Sequence, residues 1–291
     1  MIFRVLMILG VIANWMVMGA LSSSVEASPG KCETSTGMPG VLFANTFGYV
    51  SAPKDFERVD ASVEAIKTFP SIASDSGVLT LSIDEGSAEL RFFEDGERIY
   101  TCEVDAIPFD MSEHSLDTIT DGDCAWLLNT DQPILTNIAR VFSLPFQFQE
   151  VSSADPMVAD LQPLTSQSIY ILTREPGVSN ILLIRKGNGI PEICPTIAFD
   201  AQTYFADTEI ESSRLCKTET GKAARLRVGN QVFLEFADPF REMSVTNQSI
   251  VSGEPITKTR VQLDANSAGI TNLILLGTHA ELLHDCMIVV E

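Results

Sequence analysis

The chain is poor in basic residues and in histidine. Its 291 residues hold 19 Lys and Arg against 39 Asp and Glu, so the formal net charge is −20, and it has 3 His. Such an acidic surface repels nucleic acid and anionic membranes, which argues against both as partners. A zinc site needs three or four convergent nitrogen or sulfur ligands. Because His114, His279 and His284 offer no such set once the cysteines are bonded, we expect no metal or other cofactor.

Sequence motifs of enzymes are missing as well. The chain contains no G-x-S-x-G, H-E-x-x-H, P-loop or dinucleotide fingerprint. A Ser-His-Asp triad assembled from distant residues stays possible in principle, but nothing points to one. We therefore predict that the protein is not an enzyme. The acidic stretch Asp117–Asp123 groups three carboxylates with a glycine. Whether it binds calcium or is a solvated loop is left open.

Long hydrophobic runs are confined to the N-terminus. Residues 5–21 are apolar except for Asn14, Arg4 precedes them, and Val25-Glu26-Ala27 gives a small-x-Ala cleavage pattern. This organisation predicts a secretory signal peptide over residues 1–27. The run is short for a membrane anchor and lacks a basic flank. We expect no membrane span after cleavage and a periplasmic or secreted location.

The cysteines reveal an internal repeat. The spacings 124 − 32 and 216 − 124 are both 92, and so are 194 − 102 and 286 − 194. Three related units follow from this period. We place them at residues 28–108, 109–200 and 201–291. The set comprises Cys32, Cys102, Cys124, Cys194, Cys216 and Cys286.

The repeat also constrains how the cysteines pair. An even number of cysteines in a secreted chain indicates disulfides. One scheme gives each unit its own bridge, Cys32–Cys102, Cys124–Cys194 and Cys216–Cys286. The rival scheme joins neighbouring units and leaves the first and last cysteines to meet across the whole chain. Duplication of a unit together with its bridge explains the count more simply, so we predict one bridge within each unit.

A glycine phrase recurs near the end of each unit. It reads "EPGVSNILLI" around Gly177 and "SAGITNLILL" around Gly269, and the first copy has "EGSAELRFFE" around Gly86, one residue out of register. Each phrase follows a β-branched run, which predicts strand, turn, strand. We expect each glycine to supply a positive φ at the turn, where glycine has no steric penalty.

The other segments predict short strands separated by turns. Such a pattern is typical of an all-β fold, here three tandem Ig-like β-sandwich domains, with a secretin-type α/β module as the alternative. One exception is "VDASVEAIKTF", residues 59–69, whose apolar spacing is helical. The acidic stretches at residues 105–123 and 200–214 are interpreted as part last strand and part linker.

The second unit resembles the N-terminal domain of the outer-membrane secretins of Flp/Tad-type pilus systems, the pilus formation protein N-terminal region. The matching features are an apolar strand, the step "DPMVAD" at residues 155–160 and the phrase Gly177-Val178-Ser179-Asn180. The third unit keeps the glycine phrase but has "NQSIVS" for the Asp-Pro step, and the first unit matches least. The cysteine pair is foreign to the family pattern, and we expect three divergent copies without the secretin pore.

The resemblance implies work in the cell envelope. We predict a non-enzymatic accessory or assembly protein of a pilus or secretin-type apparatus. Its expected partners are envelope proteins, among them a secretin or pilus component, bound for example by strand addition at exposed sheet edges. The alternative is a secreted or surface adhesin whose Ig-like repeats bind glycan or matrix.

Overall fold

The structure of the chain is a computed structural model that describes residues 30–51, 56–74, 77–122, 124–128, 133–187, 191–206 and 208–291. The predicted signal peptide, residues 1–27, lies outside these ranges. The described residues fold almost entirely into β-strands that form three repeated sandwich-like units. The all-β prediction is therefore confirmed, and the α/β alternative is wrong.

The strands of the three units follow the same order along the chain. Unit 1 contains β1 Gly30–Lys31, β2 Val41–Phe43, β3 Thr46–Ser51, β4 Arg58–Ala61, β5 Ile66–Ser74, β6 Gly77–Ser82, β7 Gly86–Glu94 and β8 Glu97–Ile107. Unit 2 contains β9 Ile134–Leu135, β10 Arg140–Ser143, β11 Phe148–Ser153, β12 Asp160–Thr165, β13 Ser168–Leu172, β14 Gly177–Arg185 and β15 Pro191–Phe199. Unit 3 contains β16 Arg225–Leu226, β17 Gln231–Glu235, β18 Glu242–Val245, β19 Val251–Pro255, β20 Arg260–Ala265, β21 Gly269–Leu276 and β22 Leu282–Val290.

Each unit packs one larger and one smaller sheet. The larger sheets have the orders β4-β7-β8-β1, β11-β14-β15-β9 and β18-β21-β22-β16, and β2 also pairs with β8. The three-stranded sheets have the orders β3-β6-β5, β10-β13-β12 and β17-β20-β19. Neighbouring strands are antiparallel, except that short early strands run parallel to the last strand of their unit: two in unit 1 and one each in units 2 and 3. The same topology occurs three times, as the 92-residue period predicts.

One disulfide lies inside each unit, as predicted from the repeat. The bonds are Cys32–Cys102, Cys124–Cys194 and Cys216–Cys286, with Cα–Cα distances of 5.0, 5.3 and 4.8 Å. Each bond ties a cysteine near the start of its unit to the last strand of that unit. Each cysteine pair belongs to the apolar core between the two sheets of its unit. The bridge therefore fastens the chain at the point where the sheets are packed together.

Short helical segments occur only between or at the edges of the strands in the described ranges. Helix α1 spans Ala125–Leu128, helix α2 spans Ala201–Ala206, and 3-10 turns occupy Leu116–Ile119 and Ser212–Arg214. The acidic stretches between units thus contain helical turns besides the end of the last strand. None of the helices in the described part of the chain is long and apolar enough to cross a membrane.

The helical reading of residues 59–69 is wrong. Strand β4 ends at Ala61 and β5 begins at Ile66, with a turn between them. Ile66 is buried in the core of unit 1 and pairs with Ser82 of β6. Pairing with a neighbouring strand outweighs local helical spacing in so short a segment, because intrinsic propensity is a weak preference.

Strands β14 and β21 differ from β7 in a way that positions the functional surfaces. In β7 buried and partly exposed residues alternate, as in a sheet with one solvated face. In β14 the run from Ser179 to Leu183 is buried, and in β21 the run from Thr271 to Leu276 is buried. One face of each run packs in the core of its own unit. The other face is covered by the preceding unit.

Candidate functional site at the joints between the units

The asparagine of the glycine phrase holds consecutive units together. The Asn180 side chain accepts a hydrogen bond from the Phe47 backbone N–H at 2.7 Å and donates one to the Phe47 carbonyl at 2.9 Å. In the same way, Asn272 accepts from the N–H of Ala139 at 3.0 Å and donates to its carbonyl at 2.8 Å. The separations 180 − 47 and 272 − 139 are both 133. The same joint is therefore built twice.

In this contact a single side chain makes the backbone hydrogen bonds that an added strand would make. Phe47 lies in β3, and Ala139 directly precedes β10, and both strands are edges of three-stranded sheets. An edge strand presents unpaired N–H and C=O groups. A primary amide has one acceptor and one donor group and can satisfy such a pair. The asparagine thus completes the backbone hydrogen bonding of the preceding unit.

The amide of Asn272 is saturated with hydrogen bonds. Besides its two bonds to Ala139, its oxygen accepts from Thr246 Oγ1 at 2.5 Å, and its nitrogen donates to Asp285 Oδ1 at 2.7 Å. Asn180 makes a third, longer bond to the Ile119 carbonyl at 3.4 Å. Both asparagines are fully buried. Since buried amides are costly when unsatisfied, these networks fix the orientation of one unit on the next.

Further polar contacts flank each asparagine. Ser179 donates to the Asn45 carbonyl at 3.0 Å, and Asn247 donates to Asn137 Oδ1 at 2.7 Å. Asn45 and Asn137 have φ values of 58° and 61°, an unusual conformation that asparagine tolerates better than most residues. They form the same turn in two successive units. Each joint therefore includes hydrogen bonds to a turn of the preceding unit as well as to its edge strand.

Apolar side chains fill the space beside these hydrogen bonds. The joint of units 1 and 2 contains a cluster of Phe47, Leu79, Leu182 and Ile193, with Tyr49, Phe69, Leu81 and Ala154 packed against it. The joint of units 2 and 3 contains Ala139, Ile274 and Leu276, with Val141, Leu164, Tyr170 and Leu172 around them. A further cluster joins the segment that includes helix α2 to both units, through residues such as Ala201, Tyr204 and Met287. The units are thus packed together and not merely tethered.

The corresponding face of unit 1 is polar. Glu89 is the third residue after Gly86, the position that Asn180 and Asn272 occupy after their glycines. Its side chain pairs with Arg91, and nearby Lys31 contacts Asp105 at 2.6 Å. A charged face of this kind cannot reproduce the amide and apolar contacts of the two joints.

The free sheet of unit 3 is polar in the same sense. Gln231 stands 92 positions after Ala139, and its side chain donates to Asp264 at 2.8 Å. Gln262 donates to the same carboxylate at 3.3 Å. Apolar residues of the joints are thus replaced by a solvated hydrogen-bond network. In repeat proteins such polar outer faces characterise capping units.

A cleft lies on one side of the joint between units 2 and 3. It has a volume of about 310 Å³ and takes its walls from β12 and β13 of unit 2 and from β18 and β21 of unit 3. Its lining residues are Asp160, Gln162, Leu164, Tyr170, Leu172, Arg174, Glu242, Met243, Ser244, Ile274 and Leu276. Five of these are aliphatic or thioether side chains, and the polar ones include an Arg174–Asp160 ion pair of 3.0 Å. The cleft therefore has an apolar floor and a charged rim.

A second, more open pocket lies on unit 3 alone. Its volume is about 820 Å³, and it includes Phe240 and Ile256 together with the cations Arg241 and Lys258. Arg241 contacts Glu242 at 3.8 Å and donates to the Thr278 carbonyl at 3.3 Å. Ile256 is 46% exposed. This pocket lies away from the asparagine contacts.

Desolvation at the second joint raises the pKa of one carboxyl group that is still exposed to solvent. Desolvation raises the pKa of Asp285 above its ordinary value of 3.8, against the lowering effects of the Asn272 hydrogen bond and of Arg140 and Arg214. At the first joint, burial raises the pKa of Tyr49, and the nearby Asp121 acts in the same direction. Asp285 therefore carries its charge at a cost to the folded state. Solvent reaches this exposed residue and screens its charge, which reduces that cost.

The variant Asp285→Asn tests this electrostatic cost. A carboxyl whose pKa is raised by folding stabilises the fold below its unfolded pKa, about 3.9, and this contribution is lost as pH rises through the folded pKa. The asparagine keeps an oxygen acceptor for Asn272 and removes the charge. We expect D285N to unfold at higher urea concentration than the wild type at pH 7 and at the same concentration below about pH 4. An equal response in the exposed control Asp238→Asn would contradict the assignment.

Two of the three glycines predicted to have a positive φ have one in the structure. Gly86 and Gly269 have φ values of 148° and 152°, and each begins a hairpin strand. The expectation of a positive φ at Gly177 is wrong, because the φ of this residue is not positive. A Cβ at Gly177 would instead lie 3.0 Å from Val158 Cγ2, so close packing restricts the position.

The acidic stretch Asp117–Asp123 shows no metal centre in its described part. Asp117 lies in the 3-10 turn, the Asp121 backbone pairs with Ile193, and Asp123 is outside the described residues. Within the described ranges, no group of three His, Cys, Asp or Glu could hold a metal ion. His114 and His284 pack against Phe43 and Phe236, each with ring centroids 4.8 Å apart.

The sequence reasoning missed Asn180 and Asn272 as joint residues. The signal that could have found them is the recurrence of Ser/Thr-Asn after two of the glycines, together with the change to Ala88-Glu89 after the third. The continuous apolar runs after both asparagines give the same signal, because a strand covered on both faces loses its alternation.

Known solved structures resemble this chain only weakly. The Bacteroides ovatus glucan-utilisation protein SGBP-B, in complex with a mixed-linkage heptasaccharide, is 10% identical over 87% of this chain and 66% of its own, with a TM-score of 0.19. Domains 4–9 of the surface layer protein SbsC are 13% identical over 78% of this chain and 38% of their own, with a TM-score of 0.22. The Escherichia coli adhesin FdeC is 8% identical over 87% of this chain and 95% of its own, with a TM-score of 0.19. The chain thus spans less than two thirds of the first two, and scores this low carry no argument about function.

The family comparison is more specific. No curated protein matches the chain. The family model described as "Pilus formation protein N terminal region" matches residues 134–193 and 221–291. The first segment runs from β9 into β15 and contains Asn180, and the second runs from before β16 through β22 and contains Asn272. Units 2 and 3 of this chain therefore belong to the pilus formation protein N-terminal family.

Proposed function

We propose that the protein is a non-enzymatic, periplasmic accessory or assembly factor of a pilus or secretin-type apparatus that works through protein–protein contacts. The observation that carries this proposal is the conjunction of two family units, each of which uses its Gly-x-Ser/Thr-Asn phrase to bind an edge strand of another unit. The family module is thus built to recognise protein backbone.

Internal disulfides agree with a location outside the reducing cytosol. The net charge of −20 favours solubility and basic partner surfaces.

Strand addition is restricted to some of the sheet edges. The edge strands β5, β12 and β19 each contain a proline, namely Pro70, Pro163 and Pro255. Proline lacks the N–H that a new strand must bond, and it is a common device against edge-to-edge pairing. The edges without a proline remain for a partner strand: β4, β11 and β18 in the larger sheets, the short strands β1, β9 and β16 at the opposite edges of those sheets, and β17 in the smaller sheet of unit 3. Of these, β18 also borders the cleft at the second joint.

Affinity capture tests the proposed function. The mature protein is used to recover partners from cross-linked envelopes of its own source, and the captured proteins are identified by mass spectrometry. We expect a secretin or another pilus component among them. Recovery of no envelope protein, together with the protein found outside the cell and bound to glycan or matrix, would replace this function by that of an adhesin.

A further inference from the structure

Aromatic rings fill the joint between units 1 and 2. Phe47 and Phe69 lie with ring centroids 6.3 Å apart, and Tyr49 packs against the same cluster. Strand register identifies their counterparts in unit 2. Tyr49 and Phe69 both pair with Leu79.

The counterparts at the joint between units 2 and 3 are smaller or polar. Val141 and Gln162 both pair with Tyr170, so they occupy the positions of Tyr49 and Phe69. Ala139 stands 92 positions after Phe47. The three aromatic side chains of the first joint thus correspond to Ala139, Val141 and Gln162 in the second. In the opposite sense, Tyr170 of the second joint places one ring at the position of Leu79. Close packing requires that lost ring volume be refilled or left as a cavity.

The cleft of about 310 Å³ lies at one of these three positions, that of Gln162. Gln162 and Tyr170 line it, and its floor is formed by Ile274 and Leu276 of the same apolar cluster that closes the joint. An apolar cavity of about 150 Å³ is large enough for benzene, so this cleft accommodates a phenyl or indole ring. Met243 adds a thioether, which makes favourable contacts with aromatic rings. The cleft is therefore continuous with an established interface and suited to a ring.

The rim of the cleft indicates the charge beside that ring. Asp160, Arg174 and Glu242 supply two carboxylates and one guanidinium, and all three are exposed on the surface. Asp160 is paired with Arg174 at 3.0 Å, whereas Glu242 contacts Arg241 at the longer distance of 3.8 Å. The chain as a whole carries −20. A basic residue next to the entering ring therefore meets two carboxylates and one guanidinium among the lining residues, a surplus of one negative charge.

We propose that this cleft binds an aromatic side chain of a partner protein, flanked by a basic residue, in the place that Phe69 fills at the first joint. The inference deepens the proposed function and rests on it, because it names the surface through which an envelope partner is held. Burial of a ring in this cleft supplies affinity, and the joint that forms the cleft links partner binding to the alignment of units 2 and 3.

The variant Gln162→Phe tests the proposal by filling the cleft from within. The probes are the peptides acetyl-Lys-Phe-Lys-amide and acetyl-Lys-Ala-Lys-amide, titrated into the full mature protein and followed by the methyl NMR signals of Ile274 and Leu276. We expect saturable shifts with the phenylalanine peptide and binding about tenfold to a hundredfold weaker with the alanine peptide. Q162F should fold as the wild type does and lose the shifts.

A matched control keeps this result interpretable. Gln231→Phe introduces the same side chain on the free sheet of unit 3, away from the cleft, and should bind the peptide as the wild type does. The peptide acetyl-Glu-Phe-Glu-amide should bind more weakly than its lysine counterpart. Equal binding by wild type and Q162F, or indistinguishable phenylalanine and alanine peptides, would overturn the proposal.

Envelope capture with the same variants separates this proposal from the proposed function. If the wild type captures a pilus component and Q162F recovers about tenfold less, both stand. Equal recovery by wild type and Q162F leaves the proposed function intact and refutes the cleft as its binding surface. If the wild type captures no envelope protein, the proposed function fails, and the peptide titration alone decides the cleft.

Discussion

Replacing Asn272 by aspartate should uncouple units 2 and 3 at neutral pH. The carboxylate can still accept from the Ala139 N–H, but it cannot donate to the Ala139 carbonyl, and it faces the carboxylate of Asp285. Leaving buried polar groups unpaired costs about 1–3 kcal/mol each, and more for a charge. We expect the Ala139 amide hydrogen to exchange about a hundredfold faster than in the wild type, measured by hydrogen-exchange mass spectrometry.

The matched control for this experiment is Asn230→Asp. Asn230 is exposed and makes no side-chain contact to another unit in the described structure, so the same exchange of amide for carboxylate should leave Ala139 protected. Cleavage by a protease within residues 200–214 should increase in N272D and stay unchanged in N230D, because α2 and its neighbours are held by the same joint. Unchanged protection of Ala139 in N272D would show that the asparagine does not hold the units.

Removing a disulfide should have the largest effect on the stability of a single unit. The Cys124–Cys194 bond closes a loop with a sequence separation of 70, and both cysteines are buried. The chain-entropy estimate for such a loop is about 4 kcal/mol, and measured losses on removal of native bridges are typically about 2–5 kcal/mol. We expect Cys124→Ala/Cys194→Ala to unfold unit 2 at a clearly lower urea concentration than the wild type.

Two comparisons separate the cross-link from the packing of its sulfur atoms. Wild-type protein treated with a reductant keeps all its sulfur atoms and loses the three bonds, so the unfolding midpoint of its unit 2 should fall close to that of unit 2 in the alanine pair. The serine pair should be less stable than the alanine pair, because it buries two hydroxyl groups. A midpoint for the alanine pair equal to that of the wild type would show that the bridge contributes little.

The repeat could be predicted from the sequence because it depends on covalent and steric requirements. A disulfide needs two cysteines at fixed positions, so Cys32, Cys124 and Cys216 record the period without help from tertiary structure. The strand–turn–strand phrases were legible for a similar reason, since alternation and turn residues are local signals.

The joints could not be predicted from the sequence, because they depend on which sheet faces of neighbouring units meet. The sequence shows Asn180 as a polar residue ahead of an apolar run, a pattern that also fits a hairpin of an isolated domain. Its role requires the edge at Phe47, 133 positions earlier, to be opposite it. The cleft is harder still to predict, because it lies where Gln162 takes the position of Phe69, and the missing ring is recognised only by comparison with the first joint.

The polar faces of units 1 and 3 determine how a protein of this design can change length. Among the described residues, unit 2 alone combines an asparagine that docks on a preceding unit, Asn180, with an edge that receives a following one, at Ala139. A tandem duplication of unit 2 would regenerate both contacts at each new boundary and lengthen the array by 92 residues, the spacing 216 − 124. A copied unit 1 would place Glu89 against an edge strand, and a copied unit 3 would offer Gln231 and Asp264 to an apolar partner. Growth by gene duplication is therefore open to the middle unit alone.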